Sequence, residues 1–294
     1  IRFKRSPLDR HGSVIGSKYN TISINSFSII KYFNMENTMQ NWEKALHQFL
    51  EQYRNLPFVE GIILCGSYAT GNQNKHSDID VHIVLSDTEK WRERGNCFVE
   101  GFLIEYFINP IFQIEKSFAK DYENRSRTNS TMFGYGKILY DKTNRLHQLQ
   151  EKALSWHQKE FLPLSPFQIQ NKLYHLWDHM DELSVLIDDG YNIDILYAET
   201  LTELIDFYCN LKNISPFPHS KTEKILKNPS FRKKYHIYQS IDENFVTTAL
   251  SCFSAQTTAD KITAIRRLHQ FVTDLVGGFD IGQFKLKSQI KTAD

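Results

Sequence analysis

The stretch GSYATGNQNKHSDIDV, residues 66–81, places a Gly-Ser pair a short polar loop ahead of two aspartates that a single apolar residue separates. The apolar segment VEGIILC before it predicts a buried strand, and SDIDVHIVL predicts a second one. Alternate residues of a strand share a face, so Asp78 and Asp80 repel each other unless a cation lies between them. The stretch therefore predicts a strand, a Gly-Ser turn that opens a short helix, and a strand that carries a cation site.

The residue types in this stretch favour a phosphate-bearing ligand. A helix N-terminus offers N–H groups to phosphate oxygens, Gly66 allows close approach to the backbone, and the Ser67 hydroxyl is a further donor. Carboxylates suit Mg²⁺, which also binds substrate phosphates and water. The two aspartates thus predict a magnesium site that handles a nucleoside triphosphate. The pattern GxxxxGK[ST] does not occur in the sequence, which argues against a P-loop kinase.

This motif resembles the signature of the polymerase-beta-like nucleotidyltransferases, which is Gly-Ser, a loop containing Gly, and then Asp-x-Asp. The matching residues are Gly66, Ser67, Gly71, Ser77, Asp78 and Asp80. The resemblance covers roughly residues 36–141 and implies a third carboxylate on a neighbouring strand. Glu105 in FLIEYFIN corresponds to it, with Glu100 as a nearby alternative. The resemblance further implies two Mg²⁺ ions, held by Asp78, Asp80 and Glu105, that clamp the triphosphate while an acceptor hydroxyl attacks the α-phosphorus and pyrophosphate leaves.

Three other polar residues near the motif have plainer interpretations. His82 shares the parity of Asp80 and is expected to be a structural residue rather than a ligand. Lys75 and His76 are expected to be solvated loop residues.

The domain organisation follows from a change of periodicity along the chain. A helix is predicted from Glu36 to just before Pro57, a third strand in GFLIEYFIN, a helix opened by Asn109-Pro110, and a last strand within TMFGYGKILYD. After Asp141 the helical period dominates. We therefore predict a poorly ordered leader over 1–34, an α/β nucleotidyltransferase domain with a mixed sheet over 35–143, and an all-α bundle over 144–294 that binds the acceptor. Natural translation is expected to start at Met35 or Met39.

Composition excludes several classes of partner. The formal net charge of +1 provides no global field that would attract nucleic acid or an anionic membrane. The four cysteines are scattered without a CxxC pair, and no apolar run approaches the roughly 18 residues of a membrane span. A cytoplasmic protein is expected that has no membrane partner, the overall charge disfavours nucleic acid, and the oligomeric state is left open.

Charge patterning in the helical half predicts the acceptor. Residues 173–211 contain no Lys or Arg and many acids, among which Asp178, Asp181 and Glu182 cluster opposite an apolar stripe. This layout resembles the acceptor-binding domain of aminoglycoside nucleotidyltransferases, which implies that these three acids bind a small cationic acceptor. The alternative is a solvated helix face. The next segment, residues 212–234, is rich in lysine, and one of its lysines, or Lys172, could reach the triphosphate.

The leading hypothesis is therefore Mg²⁺-dependent transfer of a nucleoside monophosphate, AMP from ATP, to a hydroxyl of a cationic acceptor such as an aminoglycoside, which would confer antibiotic resistance. One alternative is a protein-modifying (AMPylating) nucleotidyltransferase of the toxin–antitoxin type. Another is an inactive nucleotide-binding regulatory module, against which the retained acids argue. The spacing of Arg232 and His236 differs from the Arg-x4-6-His pattern of the partner ribonucleases, which disfavours a fused ribonuclease.

Overall fold

The computed structural model describes residues 40–287. The predicted leader over 1–34, the start sites Met35 and Met39, and the beginning of the first predicted helix lie outside the described residues. Within the described range, no helix combines the length and the apolar character needed to cross a membrane.

The first half of the chain is an α/β unit built on a five-stranded sheet with the order β3-β4-β2-β1-β5. Its elements are α1 (Asn41–Arg54), β1 (Val59–Leu64), α2 (Gly66–Ala69), β2 (Ile79–Leu85), β3 (Glu93–Val99), β4 (Phe102–Pro110), α3 (Ile111–Glu123), α4 (Thr128–Gly134), β5 (Lys137–Asp141) and α5 (Arg145–Gln158). Strands β2 and β4 are parallel, and the other neighbouring pairs are antiparallel. The predicted mixed sheet is confirmed.

Helices cover both faces of the sheet, because the central strands are apolar on both sides. On one face α1 buries Leu46 and Leu50 against Ile62 and Ile83. On the other face α3, α4 and α5 pack around Ile63 and Val84. Helix α5 follows the predicted boundary at residue 143, yet it packs on the sheet through residues of the same cluster, which are Leu146, Leu149 and Ala153.

The α/β unit corrects three local predictions. Strand β3 was not predicted, because its first four residues, Glu93–Asn96, have no apolar side chain and the strand lies at the exposed edge of the sheet. The segment TMFGYGKILYD is not one strand: its first part closes α4, and only Lys137–Asp141 is extended. Asn109 remains within β4, so the N-cap of α3 is Pro110 rather than Asn109.

The second half of the described chain is helical, as predicted. Its elements are α6 (Pro166–Asp188), α7 (Asp194–Leu211), a 3-10 turn (His219–Lys221), α8 (Thr222–Lys227), α9 (Pro229–Lys234), α10 (Glu243–Ser254), α11 (Thr258–Asp274) and a second 3-10 turn (Ile281–Gln283). Helix α6 begins with a capping box between Ser165 and Gln168, with proline at its first position. The helices enclose one core, in which Tyr208 stacks on Phe245.

Candidate active site

Three carboxylates from neighbouring strands converge at one end of the sheet. Asp78 lies just before β2, Asp80 lies in β2, and Glu105 lies in β4. The parallel register places Asp80 beside Glu105, and one carboxylate oxygen from each of the three residues lies within 4.8 Å of the others. Glu100, the alternative third acid, lies in the exposed turn between β3 and β4 and is not part of this group. The structure therefore brings together the three acids that the sequence singled out.

The neighbouring carboxylates raise the proton affinity of Asp80. Burial, then the charges of Asp78 and Glu105, raise the pKa of Asp80 to about 7. Part of this repulsion persists in the folded protein, so a cation between the carboxylates would relieve it. Oxygen-only donors at this spacing fit Mg²⁺, which prefers carboxylates over nitrogen or sulfur ligands.

Arg94, on the edge strand β3, forms an ion pair with the third acid, Glu105. Strand β3 pairs with β4 so that Arg94 reaches Glu105, with its Nε 3.2 Å from Glu105 Oε1 and its Nη2 on the same oxygen. The guanidinium also lies 4.8 Å from the centroid of the Phe107 ring. The sequence analysis missed Arg94 because it missed strand β3. Only the strand register shows that this arginine faces the acidic group.

Gly66 is required by both backbone conformation and space. Its φ of +63° lies in the left-handed region, and a Cβ added there would stand 2.0 Å from Asp80 Oδ2. The carboxylate of Asp80 therefore occupies the position that any side chain at residue 66 would take. Helix α2 comprises a single turn, so a phosphate at this turn would be bound by local N–H groups and the Ser67 hydroxyl rather than by a helix macrodipole.

A cavity of about 710 Å³ opens from the acidic group toward the helical half. Its sheet wall is formed by Gly66, Ser67, Asp78 and Asp80, and the loop between α2 and β2 forms one rim. Its helical wall is formed by Lys221, Lys224, Phe231, Lys234 and Tyr235. The volume lies within the roughly 300 to 1,000 Å³ that small-molecule sites occupy. The cavity therefore has an acidic side and a basic side.

The two halves of the chain meet at the floor of this cavity through an aromatic contact. Tyr135, which directly follows α4, stacks on His236 with ring centroids 3.4 Å apart, and His157 of α5 packs edge-on against Tyr135. The His157 Nδ1 lies 3.1 Å from the Thr131 hydroxyl. Burial, then Arg127 and His236, lower the pKa of His157 to about 4, so this ring is neutral at pH 7.

His82, His76 and Lys75, the histidines and the lysine near the motif, lie in different environments. His82 is buried, stacks on Phe107 and does not line the cavity, which agrees with the structural role expected from the sequence. Its burial lowers its pKa to about 4. His76 and Lys75 are both exposed, as expected for a solvated loop, and His76 also lines the cavity.

The three acids predicted to bind the acceptor lie elsewhere. Asp178, Asp181 and Glu182 are exposed on α6, and the cavity is not lined by any of them. Lys172 lies 3.5 Å from Glu203, also outside the cavity. The change of charge sign after residue 211 was the signal that located the helical wall, although it did not show which lysines reach the cavity.

One comparison with known proteins matches the part of the chain that carries the three acids. Residues 43–134 match the family model described as a nucleotidyltransferase domain. A comparison with curated proteins found no match. Among solved structures, the chain is similar to a nucleotidyltransferase-like protein from Exiguobacterium sibiricum, with 13% identity and a TM-score of 0.42 over 81% of this chain and 77% of that chain. The Gly-Ser turn and the converging acids thus lie within the segment, residues 43–134, that matches the model of a nucleotidyltransferase domain.

Proposed function

We propose that this protein transfers a nucleoside monophosphate from a nucleoside triphosphate to an acceptor hydroxyl. The observation that carries the proposal is the convergence of Asp78, Asp80 and Glu105 within a nucleotidyltransferase domain. These acids would hold Mg²⁺, which when bound neutralises charge on the triphosphate and on the attacking oxygen.

The chain's own residues position the donor. The first N–H groups of the one-turn helix α2 can bind a phosphate, and the Ser67 hydroxyl is a donor on the same wall of the cavity. Asp80 fills the space beside Gly66, so the phosphate-binding turn and the metal-binding acids are in direct contact. This contact supports a site in which triphosphate and metal bind together, with catalysis by positioning and charge neutralisation.

The finer prediction is that ATP is the donor and a cationic hydroxyl compound, such as an aminoglycoside, is the acceptor. It is supported by the resemblance to antibiotic-modifying enzymes and by the acid-rich helices α6 and α7. The position of Asp178, Asp181 and Glu182 outside the cavity gives this acceptor no direct support. Offering each of the four labelled nucleoside triphosphates with an aminoglycoside tests both parts.

The transfer reaction is tested by incubating the protein with each α-³²P-labelled nucleoside triphosphate and Mg²⁺, and by following pyrophosphate release and the destination of the label. Metal-dependent pyrophosphate release with transfer of the label is the expected result. Label on a protein would favour the protein-modifying alternative. Tight binding of a triphosphate without pyrophosphate release would favour the regulatory module.

The metal assignment has a matched pair of variants. Glu105→Gln should weaken binding of Mn²⁺, a paramagnetic substitute for Mg²⁺, by at least about tenfold, because it removes a charged oxygen ligand. Glu100→Gln, a few residues away in an exposed turn, should leave it unchanged. Electron paramagnetic resonance of free Mn²⁺ measures both without requiring turnover. Equal Mn²⁺ affinity in the two variants would remove Glu105 from the site.

A further inference from the structure

The helical wall of the cavity is positively charged and has no acid of its own. Lys221, Lys224 and Lys234 line it, and among the residues that line the cavity the only carboxylates are Asp78 and Asp80, on the sheet wall. The lysines alternate with aromatic rings: the Lys224 Nζ lies 4.4 Å and the Lys234 Nζ 5.9 Å from the centroid of Phe231. The cavity thus has its carboxylates on the sheet wall and these three lysines on the helical wall.

These three lysines have no ion-pair partner within residues 40–287, although partnered lysines lie close by in the sequence. Lys227, on the same helix as Lys224, pairs with Glu223 at 2.6 Å. Unpaired like charges around one concave space repel each other, and their field is focused into that space. An anion entering the cavity would relieve this repulsion, whereas a cationic acceptor would increase it.

The nucleoside triphosphate does not need the lysines of the helical wall for binding. The proposed function places the triphosphate at the Gly66 turn and the acids on the sheet wall, and divalent metal that accompanies a triphosphate neutralises much of its charge. The lysines of the helical wall line the rest of the cavity, where the proposed function would place the acceptor. Lysine acts as a point-charge ligand for phosphate.

Resting on the proposed function, we propose that the acceptor is a small hydroxyl compound that carries a phosphate group, and that Lys221, Lys224 and Lys234 bind this phosphate. In the transfer, the acceptor hydroxyl oxygen forms a bond to the α-phosphorus, and the bond from that phosphorus to the bridging oxygen of the β-phosphate breaks. Pyrophosphate leaves with the bonding electron pair, and the hydroxyl proton passes to solvent. The product is a phosphodiester of the nucleoside monophosphate.

The phosphate site can be tested without knowing the rest of the acceptor. Protein is first saturated with Mg²⁺ and α,β-methylene-ATP, which fills the donor site, and inorganic phosphate is then titrated in by calorimetry. The combined variant Lys221→Gln, Lys224→Gln and Lys234→Gln should weaken phosphate binding at least about tenfold, since each lost contact contributes modestly. Lys233→Gln, an exposed neighbour that does not line the cavity, is the matched control and should not change it.

The affinity for α,β-methylene-ATP itself separates the two proposals. Failure of the wild-type protein to bind the α,β-methylene analogue of any of the four nucleoside triphosphates would contradict the proposed function. Normal binding of the analogue without phosphate binding would overturn the acceptor proposal alone. A combined variant that loses affinity for the analogue rather than for phosphate would assign the lysines to the donor, and would also overturn it.

Transfer assays then identify the source of the phosphate. Ribose 5-phosphate and ribose differ only in the phosphate, and the phosphorylated sugar should be labelled with at least about tenfold higher kcat/KM, a factor that corresponds to 1.4 kcal/mol. Preference for kanamycin, or equal use of the two sugars, would overturn the proposal. Labelling of a short oligoribonucleotide but not of ribose 5-phosphate would overturn the assignment to a small molecule.

Discussion

The two walls of the cavity are built in different ways. The sheet wall takes Gly66, Asp78 and Asp80 from one short motif. The register between β2 and β4 places Glu105 next to Asp80, just outside the lining of the cavity. The lysines of the helical wall lie on three short elements, the first 3-10 turn, α8 and α9, whose place depends on how the helical half packs against the α/β unit. A wall built from one motif can be identified from the sequence, whereas a wall built by packing two halves of a chain requires the structure.

The largest expected effect belongs to the sheet wall. Asp78→Asn or Asp80→Asn should lower kcat at least about a hundredfold, because metal coordination supplies several kcal/mol of transition-state stabilisation. The fold should persist, and circular dichroism checks it. Near-wild-type turnover of either variant at saturating Mg²⁺ would show that the acids of the sheet wall do not hold the catalytic metal.

The glycines of the motif give a second test of the sheet wall. Gly66 and Gly71 both have positive φ, +63° and +68°, so alanine at either position should cost about 1 to 2 kcal/mol of backbone strain. Only at Gly66 would the new Cβ meet the Asp80 carboxylate, since nothing lies within 4 Å of it at Gly71. Because this contact would displace Asp80, the Gly66→Ala variant should bind Mg²⁺ less well. It should therefore lose most of the rise in Tm that Mg²⁺ causes in the wild-type protein.

Gly71→Ala serves as the control, because it carries the same strain without the contact. Thermal unfolding with and without Mg²⁺ measures both variants. A Mg²⁺-induced rise in Tm that is the same in both would show that Gly66 serves the turn alone and not the position of Asp80.

The features that could be predicted from the sequence are again those that a local pattern determines, and the features that could not be predicted depend on packing. Helices α6, α7, α10 and α11 and strands β1, β2 and β4 were predicted because their apolar residues recur with the periods of helices and strands. The acids of the motif were identified because spacing and residue type define their chemistry. Strand β3 was missed because at this edge the apolar alternation is weak, and Arg94 was missed with it.

The contact between the two halves could not have been predicted from local pattern. Tyr135, His157 and His236 come from three separate segments and meet only in the folded chain. The lysines were recognised as a basic segment, yet local helical period does not show which of them face a cavity. Long-range packing decides both features.

The aromatic contact at the floor of the cavity, which includes His157, predicts an effect of pH on stability of intermediate size. The pKa of His157 falls from 6.5 to about 4 in the folded protein, so the unfolded chain binds more protons between these pH values. Its contribution to stability is complete above pH 6.5 and is lost as the pH falls toward 4. Allowing for solvent screening, wild type should lose about 1 kcal/mol of unfolding free energy through this residue between pH 7 and pH 5.

Replacement of this ring isolates its share of the acid sensitivity. His157→Gln keeps hydrogen-bonding groups but cannot be charged, so its unfolding free energy should fall less than that of wild type over the same interval. Urea denaturation at both pH values measures the difference, in which the contribution of buried His82 cancels. Equal losses in the two proteins would mean that His157 is not held neutral at the contact.

The smallest effect concerns the arginine that borders the sheet wall. Arg94 is 68% exposed at the side chain and pairs with Glu105, which is 17% exposed. Because this cation competes with a metal for the same carboxylate, Arg94→Gln should tighten Mg²⁺ binding to the donor-free protein. An exposed pair contributes at most about 1 kcal/mol, so the gain should not exceed about fivefold.

Arg92→Gln removes the same charge just before β3, where the structure shows no contact with Glu105, and calorimetric Mg²⁺ titration compares the two variants. A gain confined to Arg94→Gln would mean that Arg94 occupies a metal ligand in the empty site and must release it when the donor arrives with its metal. An equal gain of Mg²⁺ affinity in both variants would mean that Arg94 acts only through its positive charge at long range, without the contact to Glu105. Weaker binding in Arg94→Gln alone would reverse its assigned role, since the arginine would then hold Glu105 in the orientation that the metal requires.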